Sequence, residues 1–191
     1  MFSALLDTCV LVPSLKRDAL LEIAERRVYR PLWSPAILGE LDRAIHRIQQ
    51  RKGVDPQFTR TYVSRLVSQM GAAFPDALVT GWEPLVGTVE LPDSNDRHVV
   101  VAAIAGRADV IVTENQADFP SEKLPRPLFT QTTDTFLLDS FDLYLKPVLD
   151  AIRRVADRTG RLGPPRAARY IVQWLGKQDC PQFAAAVSPA F

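Results

Sequence analysis

The chain has 191 residues, of which 47% are hydrophobic and 24% charged. That suits one domain, or one domain with an appendage, around a sizeable core. The net charge of +1 excludes a protein basic throughout, so any anion-binding surface has to be local.

The two cysteines, Cys9 and Cys180, offer no disulfide framework and no metal-knuckle spacing. The start, MFSALLDTCVLVPSLKRD, lacks the basic opening of a secretory signal. No apolar run approaches the roughly 20 residues of a membrane span. These features predict a cytoplasmic chain with no membrane partner.

In chain order, residues 3 to 6 (SALL) predict a short buried strand ending at Asp7. Pro13 then opens an amphipathic helix to about Arg27, with Leu15, Ala19, Leu20 and Ile23 on one side. Residues 28 to 33 (VYRPLW) read as a strand or an extended link. Ser34-Pro35 pairs a capping hydroxyl with a first-position proline, predicting a helix to about Lys52 that stops at Gly53. Asp55-Pro56 repeats that signal for a helix to about Met70.

Residues 71 to 88 are rich in turn formers. VEL, 89 to 91, predicts a strand, with Asp93 or Ser94 capping a helix through about Ala105. DVIV, 109 to 112, and PLFT, 127 to 130, predict two more strands. Strands alternating with helices predict an α/β fold with a mostly parallel sheet. From about Ser140 the pattern turns helical: FDLYLKPVLDAIRRVADRTG and PPRAARYIVQWLG, with Gly160 to Pro165 between them. The division expected is a domain over 1–139 and a C-terminal helical extension over 140–191.

Ligands of open parallel sheets sit beyond the carboxyl ends of the strands. Asp7 closes the first strand, and Asn115 and Asp118 follow DVIV, so all three should project over one edge. Asp96 shares a helix face with Val99, Val100 and Ala103, which puts it in the first turn of the buried face. Glu40 borders the stripe of Ile37, Leu41, Ala44 and Ile48.

Each residue also has a plain structural reading. Asp93 can be only an N-cap, and Glu40 can pair with Arg43 one helical turn away. Asp7 and Asp118 can start turns, Asn115 can hold a left-handed turn, and Thr113 can be an ordinary strand residue. His98, two residues past Asp96, should point elsewhere, as a solvated or packed side chain. What separates the readings is convergence. Four acids at one sheet edge raise each other's pKa and need a counter-charge, and hard oxygen donors in that number suit Mg²⁺ or Mn²⁺.

The set LLDTCVLV, SPAILGEL, DSNDRHVVVAAI and IVTENQADF resembles the PIN-domain ribonucleases, and among them the VapC-type toxins of toxin–antitoxin pairs. The resemblance spans roughly residues 1 to 139. It implies a mostly parallel sheet sandwiched by helices. Asp7, Glu40, Asp96 and Asp118 become the acidic quartet that binds Mg²⁺ or Mn²⁺ and carries catalysis. Thr113 and Asn115 match the family's polar positions, and Asp93 is an extra acid.

Two departures stand out. The last acid of many members lies two residues after the threonine, where this chain has Asn115, with Asp118 three further on. Which of the two reaches the metal is open. The tail beyond about Ser140 is absent from compact members.

The resemblance further implies in-line attack by water to give a 5′-phosphate and a 3′-hydroxyl. It implies structured RNA as substrate, tRNA above all (rRNA is the other possibility), with arrest of translation, a cognate antitoxin and a possible homodimer. Positive charge near the site supports an RNA partner. Residues 26 to 66 hold nine basic against three acidic residues, and 146 to 177 hold eight against two. Arg43, Arg47 and Arg97 are the expected RNA contacts.

Alternatives are a housekeeping RNA-processing PIN nuclease and a non-catalytic RNA- or antitoxin-binding module. A phosphatase of the haloacid-dehalogenase type would want an acid two residues after Asp7, where Cys9 stands.

Overall fold

Four short strands form one parallel sheet: β1 (Ser3–Leu6), β2 (Arg30–Leu32), β3 (Val110–Val112) and β4 (Phe129–Gln131), in the order β2-β1-β3-β4. Every residue of β1 and β3 is buried, as expected of strands covered on both faces. The computed structural model describes residues 1–161 and 164–191. Leu6 stands opposite Val112 in the ladder, so the next residues, Asp7 and Thr113, leave the sheet side by side at its carboxyl edge. That register is the first determinant of the site.

The helices follow their capping chemistry. The Ser34 hydroxyl accepts from the Ile37 N–H at 3.2 Å to start α3 (Pro35–Arg51), after a single turn, α1 (Thr8–Leu11), and a longer helix, α2 (Ser14–Glu25). Asp55 accepts from the Gln57 N–H at 2.6 Å to open α4 (Pro56–Ala73). Helix α5 (Arg97–Gly106) packs on β1 and β3, its residues Val99 to Ala103 all buried.

The strand expected at VEL does not form. Val89 and Leu91 are buried and Glu90 is exposed, so the alternation is real. The segment runs between two 3-10 turns, Glu83–Thr88 and Ser94–Asp96, and pairs with no strand among the described residues. An apolar alternation signals half-burial; a strand also needs backbone pairing with a neighbour.

Beyond the sheet come α6 (Thr133–Leu143), α7 (Leu145–Arg158), α8 (Ala168–Lys177) and α9 (Pro181–Val187); α9, and α6 up to residue 140, were not expected from the sequence. Helix α6 runs through residue 140. Of the expected link from Gly160 to Pro165, residues 162 and 163 lie outside the described residues.

The apolar face of α7, with Val148, Ala151, Ile152 and Val155, lies against α2 and joins the same core as the sheet. Each such side chain contributes about 1.5–3 kcal/mol on burial. Polar contacts reinforce the seam. Buried Glu22 on α2 pairs with Arg26 and with Arg158 of α7, the latter at 2.7 Å, and Arg26 reaches the Asp150 carbonyl at 3.0 Å. Arg158, one of the eight basic residues counted between 146 and 177, is therefore engaged in an ion pair with Glu22. Among the described residues, no helix is long and apolar enough to cross a membrane.

Candidate active site

Asp7 stands at the end of β1, 7% exposed, and caps α1. One carboxylate oxygen, Oδ1, accepts from the Thr8 N–H at 2.6 Å. The other, Oδ2, accepts from the Thr113 hydroxyl at 2.7 Å and from the Cys9 thiol at 3.2 Å. Thr113, fully buried, also accepts from the Asn115 N–H at 3.1 Å. Thr113 is thus more than a strand residue: it ties Asp7 to the turn that follows β3. The thiol beside it is unreactive, since burial first and then the Asp7 charge push the Cys9 pKa up to about 12.

Glu40, on α3, is held at both oxygens. The Thr8 hydroxyl donates to Oε2 at 2.7 Å, and His98 Nε2 lies 2.9 Å from Oε1. Burial alone would raise its pKa. The hydrogen bonds from His98 and Thr8, and the positive charge of nearby Arg43, hold the carboxyl below its ordinary value.

Thr8 and His98 are residues that sequence reasoning missed. Thr8 links the two acids, its N–H to Asp7 and its hydroxyl to Glu40. The expectation that His98 turns away is corrected. Asp96 belongs to a 3-10 turn and α5 begins only at Arg97, so helical spacing counted from Asp96 misplaces His98. Its ring lies beside Trp82, 6.1 Å between centroids, and its Nδ1 is buried without a partner among the described residues.

The remaining acids lie opposite. Asp96 is half-buried, and its pKa is pushed up to about 6 by burial, then by the charges of Asp7, Asp93 and Asp118, with His98 opposing. Asp93 is exposed and caps the turn before α5, accepting from the Asn95 N–H at 2.8 Å. It is both a cap and part of the acidic field. Asp118 is half-buried at the end of the 3-10 turn Gln116–Asp118, its N–H on the Asn115 carbonyl at 3.0 Å; Asn115 itself is exposed. Arg97 is half-buried, whereas Arg43 and Arg47 are exposed on α3.

Among the described residues, no Lys, Arg or His forms an ion pair with Asp7, Asp93, Asp96 or Asp118. Nor do any three His, Cys, Asp or Glu side chains among those residues close into a ready metal cage. The donor chemistry and the uncompensated charge fit a divalent cation; a closed ligand geometry is not preformed.

Comparison with known proteins bears on this arrangement. The family model for the PIN domain matches residues 3–117, and that for the VapC50 C-terminal domain matches 133–189. A Mycobacterium tuberculosis protein named "Putative ribonuclease VapC50" is 35% identical over 123 residues, covering 62% of this chain and 70% of that protein. No solved structure matches. The chain belongs to the PIN-domain family, as a VapC-type member that carries the VapC50 C-terminal domain.

Proposed function

We propose that this VapC-type nuclease is a Mg²⁺- or Mn²⁺-dependent endoribonuclease. Asp7, Asp96 and Asp118 hold the metal, with Glu40 as the fourth acid of the site. The observation that carries this reading is the acidic field at the sheet edge: burial and then the charges of three aspartates raise the pKa of Asp96, and no protein cation is paired with any of the four among the described residues. Asp118, rather than Asn115, is the ligand after β3, because Asp118 is half-buried and contributes to that field while Asn115 faces solvent. Asp93 supports the site from its cap position.

A divalent ion bound there supplies charge neutralisation for a phosphodiester and lowers the pKa of water. The protein's share is placement. Thr8, Thr113 and Cys9 fix the Asp7 carboxylate before any ligand arrives. Thr8 and His98 fix Glu40 as an ionised group able to orient a water for in-line attack. Exposed Arg43 and Arg47, next to Glu40 on α3, and Arg97, next to Asp96, meet the RNA phosphates. The substrate is a structured RNA, with tRNA favoured. A cognate antitoxin restrains the enzyme in the cytoplasm, and a homodimer is the expected assembly.

The test is cleavage of bulk tRNA and rRNA by the purified chain, with sequencing of the new ends. Cleavage that needs Mn²⁺ or Mg²⁺, stops with EDTA and is lost in Asp96→Asn is the expected result. Equal cleavage by Asp96→Asn and the parent would refute the site.

A further inference from the structure

Lys16, on α2, is 2% exposed, which is unusual for a lysine. Burying an ammonium is costly unless it is paired. Its Nζ lies 2.8 Å from Glu114 Oε1 and 3.8 Å from Asp179 Oδ2, in the turn between α8 and α9. The same Glu114 oxygen accepts from the hydroxyl of Thr133 at 2.7 Å, and Thr133, the first residue of α6, is fully buried.

Glu114 sits between Thr113, the hydrogen-bond partner of Asp7, and Asn115, which heads the turn to Asp118. Its backbone N–H points at Cys9 Sγ, 3.3 Å away. The residue is therefore gripped from both sides: its side chain by α2 and α6, its backbone by α1, which follows Asp7. The C-terminal helices close this pocket from outside. Asp134 on α6 accepts from the N–H groups of Gln182 and Phe183, at 3.1 and 2.8 Å, and so fastens the start of α9 beside Asp179.

Stability alone does not call for this pair, since buried ion pairs can often be replaced by apolar groups without loss. Its geometry serves orientation instead. We propose that Lys16 is a positioning residue for the nuclease site: through Glu114 it sets the Thr113–Asp118 turn, from a pocket sealed by the C-terminal domain. The inference rests on the site proposed above. It gives the C-terminal domain a part in catalysis without any contact to RNA.

The full chain is assayed on bulk tRNA at saturating Mn²⁺, well below the melting temperature of each variant. Lys16→Met and Glu114→Gln are each expected to lower kcat roughly 10–100-fold, as loss of an orienting partner does. KM should stay unchanged, and Lys16→Arg should recover most of the rate. Because the two groups act as a unit, Lys16→Met combined with Glu114→Gln should be no slower than either alone.

A purely structural pair would lower the melting temperature and leave kcat intact. Unchanged kcat in either single variant, or additive losses in the double, overturns the proposal. If Lys16→Met does not fold by circular dichroism, the nearly isosteric Glu114→Gln carries the same comparison. Asp96→Asn runs alongside. Full activity there sinks the site reading itself, whereas a dead Asp96→Asn beside a normal Glu114→Gln sinks only the role of Lys16.

Discussion

The two sides of the acidic edge are built differently. On one, Asp7 and Glu40 have both carboxylate oxygens engaged by Thr8, Thr113, Cys9 and His98. Those bonds stabilise the charged forms, and Glu40 sits below its ordinary pKa. On the other side, Asp96 is raised to about 6, by burial first and then by the charges of Asp7, Asp93 and Asp118. One side is finished by the protein alone. The other holds charge that only a cation or a proton relieves. A site arranged this way keeps two carboxylates fixed and leaves the remainder responsive to what binds.

The largest expected effect lies on the unfinished side. Asp96→Asn should lower RNA cleavage by at least roughly 100-fold, the upper end for loss of metal-site groups. Its melting temperature at pH 7 should be unchanged or higher, because like-charge repulsion is removed. A fall in melting temperature would show that Asp96 is compensated after all.

On the finished side, Thr113→Val and His98→Ala remove orienting partners. Each should slow cleavage roughly 10–100-fold. Mn²⁺ affinity, measured by calorimetry, should drop more for Thr113→Val, since Asp7 is the buried acid at the edge. A larger drop for His98→Ala would mean that Glu40, not Asp7, dominates binding.

A smaller effect separates the two sides by pH. Metal binding needs deprotonated carboxylates. Asp96 of the free chain takes up its proton below about pH 6. Mn²⁺ affinity should therefore hold steady from pH 7.5 down to about 6, then weaken by up to about tenfold per pH unit. Glu40, with its lowered pKa, should add nothing to that slope until the solution is more acidic. A profile flat to pH 5 would contradict the raised Asp96.

The smallest change is at Asp93. Replacing it with Ala removes a cap, at about 0.5–2 kcal/mol of stability. It should also lower the pKa of Asp96, readable by NMR titration of the carboxyl carbon. Unmoved titration would place Asp93 outside the field.

Much of this molecule follows from local sequence rules. Ser34-Pro35 and Asp55-Pro56 open helices where they stand because capping and proline geometry act within one turn. The apolar runs SALL and DVIV become buried parallel strands, and an acid at the end of such a strand must emerge at the carboxyl edge. The place of Asp7 was legible for that reason; Asp96, expected in the first turn of a helix, stands half-buried in the 3-10 turn just before α5.

The rest depended on partners distant in sequence. Whether VEL becomes a strand is decided by pairing with a neighbouring backbone, which no alternation pattern contains. His98 meets Glu40 because a 3-10 turn precedes α5, and α3 approaches it from 58 residues away. The C-terminal helices were readable as amphipathic stretches, but their apolar faces name no recipient. Only the folded chain joins them to α2 and carries Asp179 to Lys16. Periodicity is written residue by residue, whereas pairing of charges and hydroxyls arises where elements cross.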